Sequence, residues 1–313
     1  MTIVTAFYDI KREELDDFKR DNEKYFEYFS FWAGLKHKLI VYTSAEFKEK
    51  ILNIRAKFGL ENETVVITKE LESFDEEGLS LMKTTFENYD QSLNRAYPDN
   101  IECKSYLYCY IMYIKPFCVC DAIKRGLCDE EIIWLDFGFN HGSDYFTNSS
   151  QFNFKLESKD SLNKEKINFF SVKDKEETSV ANVYFSMQTY IMGGLLYAKK
   201  EHWDIFKEDM KEALRAFVSF NIVDDDQVMF LWILRKYPQR YSVHKTKFWF
   251  DSLLYFVPDD IAKTLSIRGV QKYKLIKAKM KEDLKKRAYL SFFKAFFSYL
   301  YFKFINKKEE KLC

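Results

Sequence analysis

The chain has 313 residues, 47% of them hydrophobic and 18% aromatic, which is enough apolar material for a large core. Because it holds only 9 glycines and 4 prolines and 31% charged residues, a disordered chain and an array of small all-β modules are excluded. The net charge of +1 combines a basic segment, residues 271–313, of charge +9 with an acidic remainder of charge −8, so a nucleic-acid-binding body is excluded.

The first half of the sequence alternates short apolar runs with amphipathic runs. Strands are predicted at TIVTAFYDI, KLIVYTS and TVVIT, where β-branched and aromatic residues cluster. Helices are predicted in ELDDFKRDNEKYFEYFSFW, in AEFKEKILNIRAKFGL, which Gly59 closes, and in SYLYCYIMYIKPFCVCDAIKRG, which stops at Gly126. The buried strand IIWL follows. Strands alternating with helices predict a parallel sheet with right-handed crossovers, which binds ligands beyond the carboxyl ends of its strands.

The second half begins with a less regular region, roughly 140–185, which we interpret as strands and loops laid over the site. The run YIMGGLLYAKKEHWDIFKEDMKEALRAFVSF then predicts a strand with a glycine pair, Gly193 and Gly194, followed by a long helix. VDDDQVMFLWILRKYP predicts another helix with acids at its start, and RYSVHKTKFWF a last strand that contains His244.

Asp136 and Lys115 are the first two candidate site residues. Asp136 stands at the carboxyl end of IIWL, where an acid after a buried apolar strand is costly unless it has a function. The alternative is a carboxylate that caps the following turn. Lys115 lies in an otherwise apolar helix just before Pro116, and it either faces a ligand or is a solvated lysine beside a kink.

The acids of DDDQ and the glycine pair are further candidates. A carboxylate such as Asp225 or Asp226 can accept a proton from a hydroxyl group, and clustered acids raise one another's pKa. Acids at a helix N-terminus are also ordinary partners of the helix dipole. Gly193 and Gly194 either allow a ligand to approach the backbone closely or form a bulge that ends a strand.

The order of these pieces resembles the GT-A class of glycosyltransferases, and within it the HtrL/YibB family of bacterial proteins. The likeness is carried by TIVTAFYDI, FWAGLKHKLIVYTS, YIKP and above all WLDFGFNHG. It covers roughly residues 2–260. The resemblance implies an α/β, GT-A-like (Rossmann-like) domain over residues 1–260, with a mixed, mostly parallel sheet flanked by helices, which binds a nucleotide-sugar and is catalytic. Residues 261–313 form a basic, aromatic C-terminal helical tail outside it.

The resemblance implies a glycosyltransferase that moves a sugar from a nucleotide-sugar donor to a surface-glycan acceptor, as in capsule or lipopolysaccharide biosynthesis. Asp225 and Asp226 are the implied catalytic residues, with the acid just before Gln227 matching the family-like pattern. Donor-binding residues are placed by the resemblance and, at the ends of the first two strands, by topology alone: Ala6, Tyr8, Asp9, Thr43, Lys115, Asp136, Gly193 and Gly194.

A divalent metal, Mn²⁺ or Mg²⁺, is implied, with Asp136 and His244 as its ligands. His244 alone is equally compatible with a structural histidine. The sequence departs from the D-x-D pattern of the class, because Gly138 stands where the second acid would bind the metal. His141 or Asp144 could supply that ligand, or Asp136 could contact the ribose while the metal is held weakly. A non-catalytic glycan- or protein-interaction module that retains the fold is therefore the alternative. A nucleotidyltransferase is a weaker one, since AFYDIKREE is not a glycine-rich basic loop.

The tail segment RAYLSFFKAFFSYLYFKFINKKEEK predicts an amphipathic helix with a narrow polar stripe of Ser291, Lys294 and Ser298. Residues 271–313 hold 13 Lys or Arg against 4 Asp or Glu, and we expect this segment to bind anionic lipid. Packing on the body or on a second subunit is the alternative, and the oligomeric state stays open. Without a signal peptide ahead of the first strand, and with six cysteines in no CxxC pair, a cytoplasmic enzyme with reduced thiols at the inner face of the membrane is predicted.

Overall fold

The computed structural model describes residues 1–15, 20–141, 145–173, 179–267, 280 and 289–309, and of 301–309 it describes the backbone only. The chain divides into two compact units. The larger comprises Met1–His141 with Ser149–Thr264, and the smaller comprises Gly142–Asn148 with Leu265–Cys313. The predicted domain boundary at residue 260 stays a prediction.

The larger unit contains a sheet of seven strands. They are β1 Thr2–Phe7, β2 Lys38–Thr43, β3 Thr64–Thr68, β4 Glu131–Leu135, β5 Ile167–Ser171, β6 Ile191–Lys199 and β7 Tyr241–Lys245. Their order is β3-β2-β1-β4-β6-β5-β7, and neighbours are parallel except where β6 pairs with β4 and β5. The predicted mixed, mostly parallel sheet is confirmed.

Helices flank this sheet, and one long helix belongs to the smaller unit. They are α1 Asn22–Trp32, α2 Lys48–Ala56, α3 Glu76–Asn88, α4 Tyr106–Tyr113, α5 Lys115–Lys124, α6 Val180–Ser186, α7 Trp203–Val218, α8 Asp226–Lys236, α9 Asp259–Ala262 and α10 Tyr289–Glu309. Helix α5 packs on β1 and α7, and α8 packs on β6 and α7. The first residues of α5 and α8 are therefore held close to the centre of the sheet.

The predicted single helix from Ser105 to Gly126 is wrong, because the chain forms two helices, α4 and α5, that meet at Ile114. Ile114 has φ −78° and ψ 1°, outside the helical region, and Pro116 lies in the first turn of α5. Proline has no N–H to donate to the preceding turn, so it is tolerated at a helix start and breaks a helix interior. As a result Lys115 is the first residue of α5.

The first helix also differs from its prediction, since α1 begins at Asn22 and not near Glu14. Asp21 is its N-cap and accepts a hydrogen bond from Lys24 N at 2.8 Å. Residues 16–19 of the predicted run lie outside the described residues. The segment between β1 and α1 is therefore a connection at the carboxyl end of β1.

The antiparallel strand β6 explains how the site is assembled. Strands β1, β4 and β6 are almost wholly buried, as expected for strands covered on both faces. Because β6 runs opposite to β4, it begins at the edge where β1 and β4 end. The backbone confirms this, since Asp136 N donates to Gly194 O at 2.9 Å. The glycine pair and the acid after β4, 57 and more residues apart in sequence, thus become neighbours.

The thiols of Cys103, Cys109, Cys118 and Cys120 are free and buried, and that of Cys128 is free and half-buried. Burial raises the pKa of the Cys103 thiol to about 11 and that of Cys120 to about 12, which keeps both protonated. These cysteines are part of the core.

Candidate functional site

A cleft with a cavity volume of about 200 Å³ opens at the carboxyl edge of β1 and β4. Nine of the eleven predicted site residues line it: Ala6, Tyr8, Asp9, Lys115, Asp136, Gly193, Gly194, Asp225 and Asp226. They come from the end of β1, the start of α5, the residue after β4, the start of β6 and the N-terminus of α8. Thr43 and His244 do not line it.

Lys115 is the buried centre of the cleft wall. Its side chain is 1% exposed, and its Nζ lies 3.1 Å from Asp136 Oδ1 and 2.6 Å from Asp226 Oδ2. The ammonium group also donates to Gly193 O at 2.8 Å. Burial lowers the pKa of Lys115, but the two carboxylates outweigh it and the pKa is raised overall. Lys115 is therefore charged and faces the site, and the interpretation as a solvated lysine is wrong.

Asp136 is held by Trp134 and Lys115, and the shorter contacts are made on its Oδ1. That oxygen accepts a hydrogen bond from Trp134 Nε1 at 2.7 Å in addition to its contact with Lys115. Asp136 Oδ2 lies 3.4 Å from the same ammonium, and the side chain is 30% exposed to the cleft. The Asp136 side chain is thus fixed by Trp134 and Lys115, and one part of its carboxylate remains accessible to a ligand.

Asp226 occupies the space that Gly193 leaves open. A Cβ atom at position 193 would lie 2.6 Å from Asp226 Cγ, well inside contact distance, whereas a Cβ at Gly194 would lie 3.7 Å from Asp136 Oδ2. Burial raises the pKa of Asp226, and the Lys115 ammonium opposes that rise. Gly193 therefore lets the Asp226 carboxylate pack against the backbone of β6, a reason for this glycine that neither sequence-based interpretation contained. The pairing of β6 with β5 is irregular at this point.

Asp224 and Asp225 have different surroundings. Asp224 Oδ1 forms a buried ion pair with Arg95 Nη2 at 2.9 Å, and burial raises the pKa of Asp224 to about 6 although Arg95 opposes it. Asp225 is half-buried and lines the cleft, and it caps α8 by accepting from Gln227 N at 3.0 Å. Burial, with the neighbouring acids Asp224 and Asp226, raises the pKa of Asp225 well above its usual range.

Three predicted residues from the end of β1 form the opposite wall. Ala6 belongs to β1, and the Tyr8 hydroxyl donates to Lys69 O at 2.9 Å. Asp9 Oδ1 accepts a hydrogen bond from Lys11 N at 2.8 Å. Burial raises the pKa of Asp9, but its hydrogen bonds with Lys11 outweigh burial and the pKa is lowered overall. Asp9 is therefore ionised in this wall.

The structure separates His244 from the ligand partner predicted for it. His244 lies on β7, which β5 and β6 separate from β4, and neighbouring strands lie about 4.8 Å apart. Its Nε2 lies 2.7 Å from Asn168 Oδ1, and burial lowers the pKa of the imidazole. The side chain of Thr43 is buried in β2, and its Oγ1 has no hydrogen-bond partner among the described residues. A metal site built from Asp136 and His244 does not form in this arrangement.

The described acids of the cleft do not complete another ligand set for a divalent metal. Position 138 is glycine, Asp136 and Asp226 both contact the Lys115 ammonium, and Asp144 lies outside the described residues. His141 does line the cleft, but among the described residues it belongs to no three-residue group with metal-ligand spacing. Among the residues that the structure describes, Glu165, Glu201 and His202 form a group with metal-ligand spacing. This group does not line the cleft. The residues present therefore do not fit a metal held by two carboxylates of the cleft.

Sequence comparison assigns the family. HtrL_YibB, described as a bacterial protein of unknown function, matches residues 1–258. The chain belongs to the HtrL_YibB family. The protein HtrL of Escherichia coli (strain K12) is 26% identical over 255 residues, which are 78% of this chain and 87% of HtrL. Among solved structures, the apo crystal structure of mouse xyloside xylosyltransferase 1 is similar with a TM-score of 0.38 and 10% identity, over 78% of this chain and 85% of that one.

Sequence reasoning missed several cleft residues of this family member, above all two arginines. Arg12 and Arg20 line the cleft from the connection between β1 and α1, as do Tyr25 in α1 and Tyr108 in α4. Arg12 Nη1 donates to the Tyr25 hydroxyl at 2.5 Å, and its guanidinium lies 5.1 Å from the centre of the Tyr108 ring. The signal was present, since the switch-point rule applied to the end of β1 extends naturally to the residues that follow Asp9.

Proposed function

We propose that this protein is a glycosyltransferase that moves a sugar from a nucleotide-sugar donor to a glycan acceptor. The observation that carries the proposal is the buried ion cluster of Lys115, Asp136 and Asp226 in the wall of a cleft at the carboxyl edge of the sheet. A buried ion cluster contributes little to stability compared with apolar residues of the same size, which favours a functional reason for keeping it. The resemblance to the GT-A class supplies the reaction class.

The proposed reaction exchanges two bonds at the anomeric carbon of the donor sugar. An acceptor hydroxyl oxygen bonds to that carbon, the bond from the carbon to the diphosphate oxygen breaks, and the nucleoside diphosphate leaves with the electron pair. The proton of the hydroxyl group passes to a carboxylate. Asp225 suits this role because it lines the cleft, is half-buried and has a raised pKa, whereas Asp226 is engaged by Lys115.

Asp136 is proposed to contact the donor. Its carboxylate is partly exposed at the end of the central strand, and Trp134 and Lys115 fix its orientation. A fixed carboxylate next to the reacting carbon stabilises the positive charge that develops on a sugar ring as its leaving group departs. Ala6, Tyr8 and Asp9 lie in the facing wall and are proposed to border the nucleoside.

The acceptor is proposed to be a precursor of a surface glycan such as capsule or lipopolysaccharide, made at the inner face of the membrane. Helix α10 supports this location, because Leu290, Phe293 and Phe297 are 79%, 56% and 67% exposed and lie at helical spacing. Lys294, on the same exposed side, adds charge. No helix of the described residues is long and apolar enough to cross a bilayer. An interfacial helix fits these features.

The test is the release of nucleoside diphosphate from nucleotide-sugars. The intact protein is incubated with uridine and guanosine diphosphate sugars, with a glycan acceptor extract or water, and the freed diphosphate is measured. We expect Asp136→Asn to reduce release at least about 100-fold while the melting temperature stays near that of the unchanged protein. Asp204→Asn, at an exposed ion pair with Lys207, is the matched control and should leave the rate unchanged.

A non-catalytic interaction module is the second candidate, and the glycine at position 138 favours it. Under this alternative the cleft binds a glycan or nucleotide without turnover. Two results together would favour the interaction module. Diphosphate release would be equal in the unchanged protein, in Asp136→Asn and in a blank, and a ligand would raise the melting temperature.

A further inference from the structure

Two carboxylates of the cleft, those of Asp136 and Asp226, are already bound by side chains of the chain itself. Asp136 Oδ1 receives the Trp134 indole N–H and lies 3.1 Å from Lys115 Nζ, and Asp226 Oδ2 lies 2.6 Å from the same atom. Lys115 is 1% exposed, so its charge cannot turn out to solvent when another cation arrives. A metal ion at either carboxylate would be placed beside a fixed like charge.

The position of the missing second acid is also occupied. A Cβ atom at Gly138 would lie 3.1 Å from Tyr25 Cε1, so the tyrosine ring covers the point from which an acidic side chain would extend. The same Tyr25 accepts the hydrogen bond from Arg12 Nη1. Where the resemblance implies a carboxylate for a metal, the chain therefore places a tyrosine that orients an arginine.

A diphosphate needs compensating positive charge, and the cleft offers it as guanidinium groups. Arg12 and Arg20 both line the cleft on the side of β1 and α1. Arg12 is oriented by the Tyr25 hydroxyl at 2.5 Å and by the Tyr108 ring at 5.1 Å. A planar guanidinium binds two phosphate oxygens at once, which a buried lysine already engaged by two carboxylates does not.

We propose that Arg12 and Arg20 bind the diphosphate of the donor without a divalent cation, while Lys115 is the internal counter-ion that holds Asp136 and Asp226 in place. This inference rests on the proposed function. It assigns the two arginines to the leaving diphosphate, and the carboxylates of Asp136 and Asp225 to the sugar and the acceptor hydroxyl. Arg12 and Arg20 then bind the substrate directly.

The experiment is a calorimetric titration of the intact protein with uridine diphosphate and with guanosine diphosphate, in EDTA and in Mn²⁺. For the nucleotide that binds, we expect Kd to differ less than about twofold between the two buffers. Arg12→Gln and Arg20→Gln should each raise Kd about tenfold or more, the value of a lost charged hydrogen bond. Arg215→Gln, at an exposed ion pair with Glu77, is the matched control and should leave Kd unchanged.

The outcomes separate this inference from the proposed function. Binding that is lost in EDTA and restored by Mn²⁺ would overturn the metal-free site and leave the glycosyltransferase proposal standing. Arginine variants that fold, by their melting temperature, and bind as tightly as the unchanged protein would also overturn it. If either variant does not fold, the comparison of EDTA with Mn²⁺ on the unchanged protein decides. No binding of either nucleotide in either buffer would remove both proposals together.

Discussion

Replacing Lys115 with methionine is the sharpest probe of the ion cluster. Lys115→Met keeps the length of the side chain and removes the ammonium that lies 3.1 Å from Asp136 and 2.6 Å from Asp226. Removing one partner of a buried ion pair leaves an uncompensated charge and costs about 3–5 kcal/mol. Part of this cost disappears when Asp226 takes up a proton, so the free energy of unfolding of the variant should fall as pH rises above the ordinary carboxyl range.

The sign of that dependence follows from linkage. Burial already raises the pKa of Asp226 in the presence of Lys115, and without the lysine it rises further. The folded variant then binds more protons than the unfolded chain between the unfolded and folded pKa values of this carboxyl, and stability decreases with pH across that window. In the unchanged protein Lys115 also contributes to the pH dependence of stability, because its pKa is raised in the folded state. That contribution is lost only at alkaline pH, as the pH rises through the folded pKa of Lys115.

Urea denaturation followed by tryptophan fluorescence, at several values of pH, measures the effect. The matched control is Lys200→Met, because Lys200 lies 3.0 Å from Glu130 in a pair whose side chains are 51% and 54% exposed. Solvent screens this pair, and we expect a loss of about 1 kcal/mol or less. A loss for Lys115→Met as small as that of the control, and independent of pH, would refute the description of Lys115 as a buried counter-ion.

Three further predictions concern the glycine pair, the proposed base and the tail. Gly193→Ala should lower the free energy of unfolding by about 1–3 kcal/mol because the new Cβ meets the Asp226 carboxylate, while Gly194→Ala should lower it less. Urea denaturation of both variants measures the difference. Equal losses would contradict the conclusion that Gly193 makes room for Asp226. Since the pKa of Asp225 is raised, kcat/KM should increase with pH over a range above that of an ordinary carboxyl group. Asp225→Asn should reduce the rate about 10²–10⁴-fold. If the same pH dependence persists in that variant, another group is the base. Deleting residues 271–313 should abolish binding to vesicles rich in anionic lipid at low salt, and a truncated protein that binds them as before would remove the membrane proposal.

Under the proposed function, the combined charge of the site would make an acidic cleft compatible with a diphosphate donor. Lys115 neutralises one of the two carboxylates it contacts, and Asp225 adds a further acid to the cleft. The cationic side chains Arg12 and Arg20 line the same cleft from the connection between β1 and α1. A donor that contacts both sets of side chains would present its diphosphate to the arginines and its sugar to the carboxylates, which is the orientation that transfer needs.

The sequence by itself determined most of the strands and the class of fold, and it identified Asp136 as a candidate site residue. An acid directly after a buried β-branched strand is a local signal, and so is the cluster of acids that begins α8. The same rule about the carboxyl ends of parallel strands placed Ala6, Tyr8 and Asp9 at the cleft, but it also placed Thr43 there, which does not line it. These inferences depend on neighbours in the chain and on the period of the apolar residues, which are visible without coordinates.

Only the tertiary structure decided which of these residues meet. The direction of β6 does not follow from its composition, yet its antiparallel pairing brings Gly193 to the end of β4 and leaves room for Asp226. Lys115 became a buried counter-ion because the helix breaks at Ile114 and α5 packs on β1. His244, which the resemblance paired with Asp136 as a metal ligand, lies on β7, which β5 and β6 separate from β4. Ion pairs between distant segments depend on strand order and helix packing, and a single sequence does not encode these in any local pattern.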